Sequence, residues 1–115
     1  MLFRSDDYAA ARGALGPSRI VGVACGISRH AAIDAAEAGA DYVSFTDSAG
    51  LVQWWSETMT VPCVAAGDVT LENCATLVAA GADFLEVGAA VWTHPDSAAA
   101  AVRAFTDKIA ANAPR

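Results

Sequence analysis

Apolar residues in this chain arrive in short runs, and between the runs lie longer stretches with a helical period. "RIVGVAC" (Arg19 to Cys25) is a continuous Val/Ile-rich run without polar alternation, which predicts a strand buried on both faces. Gly26 breaks it, and Ser28 stands where it can cap an alanine-rich helix, "RHAAIDAAEAG", that stops at Gly39. "DYVSF" (Asp41 to Phe45) predicts the next strand, "TDSAG" a loop, and "LVQWWSETM" a helix. Trp54 and Trp55 are sequence neighbours in that helix and cannot both face one way; tryptophans at such positions are core packing more often than ligand platforms. Pro62 opens a third strand, "CVAA", followed by a turn at Gly67-Asp68. Thr70 is the expected cap of the helix "LENCATLVAAG", with Asp68 as a rival. Thr70 and Asn73 are at capping-box spacing, although Asn is a weak partner there. "FLEVGAAV" (Phe84 to Val91) predicts a fourth strand, "HPD" a turn, and Asp96 or Ser97 the start of a last helix to about Ala111. Ahead of all these, Asp6 to Leu15 predicts a short helix ended by Gly16-Pro17.

A repeat runs through this pattern. "AEAGADYVSF" (Ala36 to Phe45) returns as "VAAGADFLEV" (Val78 to Val87), each copy a helix end, a glycine turn and a buried strand. Strand-helix units in series with short connections predict an α/β fold with a parallel sheet and right-handed crossovers. Four units suit a small doubly wound sheet, or half of an eight-unit (βα)8 TIM barrel. Neither GxGxxG nor GxxxxGK[ST] occurs, which weakens the nucleotide-binding open sheet and favours four parallel strands of a barrel. The edges of such a sheet would be Arg19–Cys25 and Phe84–Val91. Val21, Val23, Val43, Phe45, Val64, Leu85 and Val87 would divide between a helix-covered face and an inner face open to water. Apolar edges with unpaired backbone groups are templates for association, so a homodimer or larger species is expected.

Length and charge narrow the class. The 115 residues suffice for one domain, and 55% hydrophobic content excludes disorder. A net charge of −6 with no basic run argues against a nucleic-acid surface. No apolar run reaches the roughly 18 residues of a membrane span. The N-terminus has no apolar signal core, so the expected location is cytoplasmic. Cys25, Cys63 and Cys74 have no CxxC spacing and read as small buried hydrophobes. His30 and His94 do not share a helix face, so no His/Cys metal site is expected.

In parallel α/β folds ligands gather at the C-terminal ends of the strands. Those ends here are Ala24-Cys25-Gly26, Thr46-Asp47, Gly67-Asp68 and Gly88-Ala89. The last two are neighbouring strand ends built from small residues. Backbone N–H groups there can cradle an anion without any Lys or Arg, helped by a helix dipole. The same residues also suit plain tight turns and close helix packing, and spacing leaves the two readings evenly matched.

"GADYV" followed by "VPCVAAGDVTLENCATLVAAGADFLEVGAAVW" resembles the C-terminal half of the thiamine phosphate synthase and thiazole tautomerase family, in a divergent branch. The likeness covers roughly Arg19 to Ala111 and assigns the chain to strands five to eight of that family's (βα)8 barrel, as one partial domain over residues 1–115. It implies a fragment of a transferase that joins a hydroxymethylpyrimidine pyrophosphate to a thiazole phosphate, with magnesium; a tautomerase-like or non-catalytic phosphate-binding barrel is the alternative. It implies a phosphate held by backbone N–H groups at Gly67, Asp68, Gly88 and Ala89, leaves the catalytic residues unassigned, and places no metal site in this segment. Asp68 stands where the family usually has glycine, so its carboxylate has to turn away from the anion. After its sixth strand the family has Gly-Pro, a Thr-rich loop and a lysine for the pyrophosphate; here "TDSAGLVQWW" has neither proline nor lysine. Asp6-Asp7 falls within about a residue of an acidic pair after the family's fourth strand, but an acidic pair at a helix start accounts for it as well. The opening "MLFRS" joins abruptly to family-like sequence, which suggests a truncated gene prediction with residues 1–5 as an artefact. The base that tautomerase chemistry needs has one candidate, His30, just past the first strand. The isolated chain is expected to show no synthase turnover.

Overall fold

Every apolar run finds a neighbour in the computed structural model, which describes residues 1–46 and 49–113. The strands are β1 (Leu2–Arg4), β2 (Gly22–Ala24), β3 (Tyr42–Thr46), β4 (Cys63–Ala66) and β5 (Phe84–Leu85). Between and after them lie a 3-10 turn (Ser5–Asp7) and helices α1 (Tyr8–Leu15), α2 (Arg29–Glu37), α3 (Ala49–Thr58), α4 (Cys74–Ala80), α5 (Ala89–Trp92) and α6 (Ala98–Asn112). All four strand pairings are parallel and the order is β1-β2-β3-β4-β5. A doubly wound sheet reverses its order at a switch point and carries helices on both faces. Here the order never reverses, and one buried cluster collects Tyr8 of α1, Ala32 of α2, Trp55 of α3, Leu77 of α4 and Phe105 of α6. That is the arc of a barrel with its helices outside.

The sheet has five strands where four were expected. Leu2–Arg4 pairs with Gly22–Ala24, and the N-terminal ammonium donates to Ile20 O at 2.7 Å. Residues 2–4 are therefore part of the fold, and the Arg19–Cys25 run is flanked on both sides rather than at an edge. The fourth expected strand is also shorter than Phe84–Val91. Its ladder ends at Leu85, with Glu86 N–H still donating to Ala65 O at 2.9 Å, and Ala89–Trp92 turns into a helix. An outermost strand has no second neighbour to hold it extended, and Gly88 lets the chain break towards the helix-favouring alanines. Helix α3 starts at Ala49, inside the expected loop, whose Asp47 and Ser48 lie outside the described residues.

The expected division between the two faces is unequal. Val21, Val23, Val43 and Phe45 are at most 1% exposed against the helices, and Leu85 and Val87 pack on the same cluster. Of the seven apolar positions only Val64 turns to the other face, because its register partners are Ser44 and Phe84 rather than the Val43–Cys63 row.

The sequence repeat proves to be a hydrogen-bonding device. Gly39 (φ +98°) and Gly81 (φ +110°) end α2 and α4 in a backbone conformation that L side chains avoid. Two residues on, the Asp41 carboxylate accepts from Val21 N–H at 2.8 Å while Asp41 N–H donates to Val21 O at 2.9 Å. Asp83 repeats this with Cys63, at 2.9 and 3.0 Å. Each aspartate thus closes the entry of the preceding strand, whose first N–H would otherwise lie outside the ladder. Trp55, fully buried, ties α3 to β4 by donating from its indole Nε1 to Val61 O at 2.7 Å and meets Phe45 edge-on at 5.7 Å. Its neighbour Trp54 is half-buried under the Arg29 guanidinium, 4.9 Å from the ring centre. Both tryptophans are packing residues.

Candidate phosphate-binding site

The C-terminal ends of β4 and β5 lie side by side, since Val64 pairs with Phe84 and Ala65 with Leu85. Continuing that register, Gly67-Asp68 and Gly88-Ala89 leave the sheet at the same end, on adjacent strands. Gly67 has φ +90°, a conformation that turns the chain sharply out of β4. Asp68 forms the middle of the turn, with Val69 N–H donating back to Gly67 O at 3.0 Å, and its side chain is exposed. Gly88 opens α5, and its carbonyl accepts from Val91 and Trp92 N–H at 3.0 and 3.2 Å. A Cβ built on Gly88 would meet nothing within 4 Å, so the space beside it is open.

The turn after β4 is held by its side chains. Asn73 Oδ1 accepts from Thr70 N–H at 2.7 Å, Thr70 Oγ1 accepts from Asn73 N–H at 3.2 Å, and Asn73 Nδ2 donates to Asp68 O at 2.7 Å. The first two bonds make a reciprocal capping box in which asparagine serves fully, and the third was not foreseen. Thr70, not Asp68, is the capping side chain; the regular helix begins only at Cys74, after one preliminary turn. Lys108 of α6 donates to Leu71 O at 2.6 Å and pins the same turn from outside. The Glu72 carboxyl is held below its usual range, first by its own backbone N–H and then by the Thr70 hydroxyl.

The electrostatics of this end are acidic. Asp68 and Glu72 follow β4, and Asp6 and Asp7 follow β1, where Asp7 lies 3.9 Å from Arg4 Nε. An anion here would depend on backbone N–H groups rather than on side-chain cations. The remaining candidates are not drawn in. Cys25, at the end of β2, is a buried thiol whose pKa is pushed up to about 11 by burial. His30 is exposed and pairs with Asp34 at 3.0 Å, while His94 Nδ1 accepts from Asp96 N–H at 3.2 Å. Among the described residues no three His, Cys, Asp or Glu side chains gather as a metal set, and none of their helices is long and apolar enough to cross a membrane.

No family model matches the chain. It is 47% identical to the thiamine-phosphate synthase of Erythrobacter litoralis over 88% of its own length and 54% of that protein's. Against the thiamine-phosphate synthase of Rhodospirillum centenum it is again 47% identical, over 85% of this chain and 54% of the relative. Among solved structures, thiamine phosphate pyrophosphorylase from Pyrococcus furiosus superposes with a TM-score of 0.78 at 21% identity, covering 89% of this chain and 54% of that one. The chain spans about half the length of the curated relatives it matches.

Proposed function

We propose that the chain is part of a thiamine-phosphate synthase-like protein and forms the thiazole-phosphate side of a cytoplasmic transferase. In the proposed reaction a hydroxymethylpyrimidine pyrophosphate is joined to a thiazole phosphate, and pyrophosphate leaves. The observation that carries this reading is the pair of small-residue strand ends, Gly67-Asp68 and Gly88-Ala89, at one end of adjacent strands in a chain of this kinship. Backbone N–H groups at these four residues hold the phosphate, and the open space beside Gly88 receives it. Asn73 fixes the Asp68 carbonyl and with it the peptide plane that follows. The Asp68 carboxylate, exposed and unneeded for the turn, points to solvent when the anion binds.

Magnesium, which the family resemblance implies, would supply charge neutralisation for the pyrophosphate. This segment fits that ion poorly by itself. Asp6 and Asp7 form an acidic pair beyond β1, one of them near Arg4, and no third ligating side chain joins them among the described residues. The isolated chain accordingly binds the thiazole phosphate weakly, turns nothing over, and self-associates. The short β3–α3 connection, without lysine or proline, favours one alternative: a barrel that binds a phosphorylated ligand without synthase chemistry. Titration calorimetry with thiazole phosphate, on the chain and on Gly88→Val, tests the site. Binding that the valine abolishes supports it; equal binding by a folded Gly88→Val protein removes this strand end from the site.

A further inference from the structure

From Phe84 onwards the chain alternates between two environments. Leu85 and Val87 pack on the core beneath the helices, whereas Phe84 and Glu86 line the inner face of the sheet. Carried two residues on, the same alternation places Gly88 next in the inner row, one step from Glu86 towards the phosphate cup. Two residues span no more than about 7 Å, so a ligand with its phosphate on the N–H groups of Gly88 and Ala89 has its neighbouring atoms within reach of the Glu86 side chain. Continuing the β4–β5 register sets Ala66 beside Glu86, and Ala66 pairs with Thr46. Glu86 is the charged residue of this row. Its backbone N–H donates to Ala65 O at 2.9 Å, which fixes its Cα while the carboxylate projects from the inner face. The Tyr42 phenol lines the same face, and its pKa is raised first by burial and then by the Glu86 carboxylate. These placements follow from pairing and alternation and do not depend on what covers that face.

The transfer proposed above creates a charge. A ring nitrogen of the thiazole forms a bond to the methylene carbon of the pyrimidine, the bond from that carbon to the pyrophosphate oxygen breaks, and pyrophosphate leaves with the electron pair. The nitrogen lone pair becomes the new bond, so a neutral thiazole becomes a thiazolium cation. We propose that Glu86 is a specificity-determining residue of the phosphate site, its carboxylate facing the bound ring and favouring the cationic thiazolium over the neutral thiazole. This rests on the phosphate-site reading above and adds to it a group that senses the ring. Backbone N–H groups hold only the phosphate, which is the same in both forms, so they bind reactant and product alike. A carboxylate beside the ring acts on the difference between them and lowers the barrier to the charge that develops. Asp68 is no substitute, since its exposed carboxylate stands at the turn beside the phosphate and not in the row below it.

Titration calorimetry on the chain separates the cup from the carboxylate when it uses inorganic phosphate, thiazole phosphate, and thiazole phosphate methylated on its ring nitrogen. Wild type should bind the methylated, cationic ligand about two- to fivefold more tightly than the neutral one, the range of a partly solvated ion pair. Glu86→Gln should remove that preference while binding inorganic phosphate at least as tightly as wild type. Glu86→Asp, which keeps the charge, should keep most of it. The Glu86 side chain is exposed and its backbone bond survives these substitutions, so folding is not at stake. Equal binding of the neutral and methylated ligands by wild type, or a preference retained by Glu86→Gln, would overturn the role of Glu86 and leave the cup standing. A wild-type chain that binds none of the three ligands would sink the cup, and the role of Glu86 with it.

Discussion

Replacing Asp83 with alanine removes one hydrogen bond whose energetic context the structure defines closely. The carboxylate accepts from Cys63 N–H at 2.9 Å, at the first residue of β4, and that residue's side chain is fully buried beneath the helices. Without the acceptor, the N–H is left at a strand entry where the ladder offers it no partner. A charge-assisted bond of this kind contributes about 1.5–3 kcal/mol, and the cost of orphaning a buried donor is about 1–3 kcal/mol. Asp83 itself is exposed, so water can reach part of the vacated position, and the expected loss is about 1–2 kcal/mol. For a domain of this size that is roughly 3–10 °C in Tm. Asp83→Asn keeps an acceptor oxygen in the same place and should cost about half as much. Asp41→Ala makes the equivalent change at Val21 and also releases Arg12, 2.9 Å from the carboxylate. Arg12 retains Tyr8 OH and the carbonyls of Arg19 and Gly39, and solvent screens its pairing with Asp41, so its release should add little. Urea unfolding at one fixed protein concentration, monitored by tryptophan fluorescence, reads all three variants. If Asp83→Ala matches wild type, or if Asn is as damaging as Ala, the strand-entry bond is not what the repeated aspartates supply.

Three further outcomes are expected. Asp68→Gly should bind inorganic phosphate more tightly than wild type, because a nearby negative charge is gone; calorimetry would refute this if affinity fell. The Asp41 carboxyl is held below the usual carboxylate range, first by Val21 N–H and then by Arg12, so its contribution to stability is present above about pH 4 and is lost as pH falls through its lower folded value. Asp41→Asn should flatten that acid limb of the stability profile; an unchanged limb would count against it. Burial pushes the Cys25 thiol up to about 11 and also raises Cys63, so Ellman's reagent at pH 8 should leave the folded chain largely unmodified and react with all three cysteines in guanidinium. Above the ordinary thiol range the unfolded chain ionises and the folded one does not, so stability should fall as pH rises towards 11.

The apolar runs were legible because burial on both faces forces continuous Val, Ile and Ala, which leaves little room for another reading. Length was less legible. A strand of three residues, Leu2–Arg4, carries too little pattern to stand out, and its place follows only from pairing with Gly22–Ala24. Phe84–Val91 shows the opposite error. Its composition suits a strand throughout, but strand conformation lasts only while a neighbour supplies hydrogen bonds, and β4 supplies them only as far as Glu86. Facing was illegible for a related reason. The inner row of a barrel segment is also apolar, so Val64 and Val43 look alike in sequence and differ only through register.

The candidate site was legible to a different depth. A phosphate cup made of backbone N–H groups has no side-chain signature of its own; sequence can reveal only where Cβ atoms are missing and where caps stand. Gly67 and Gly88 meet the first criterion; the structure gives Gly67 its reason in a positive φ, and at Gly88 it shows open space that a side chain would enter. Thr70 and Asn73 meet the second. The bond from Asn73 Nδ2 to Asp68 O could not be read from spacing, because capping-box logic assigns the asparagine only its Oδ1. That third bond also accounts for aspartate being tolerated where glycine is usual. The turn is fixed through the carbonyl of residue 68, so the side chain there contributes nothing to its geometry and is free to face water. Asp68→Gly should therefore alter affinity far more than stability, whereas Asn73→Ala, which deletes two side-chain bonds to this turn, should lower both.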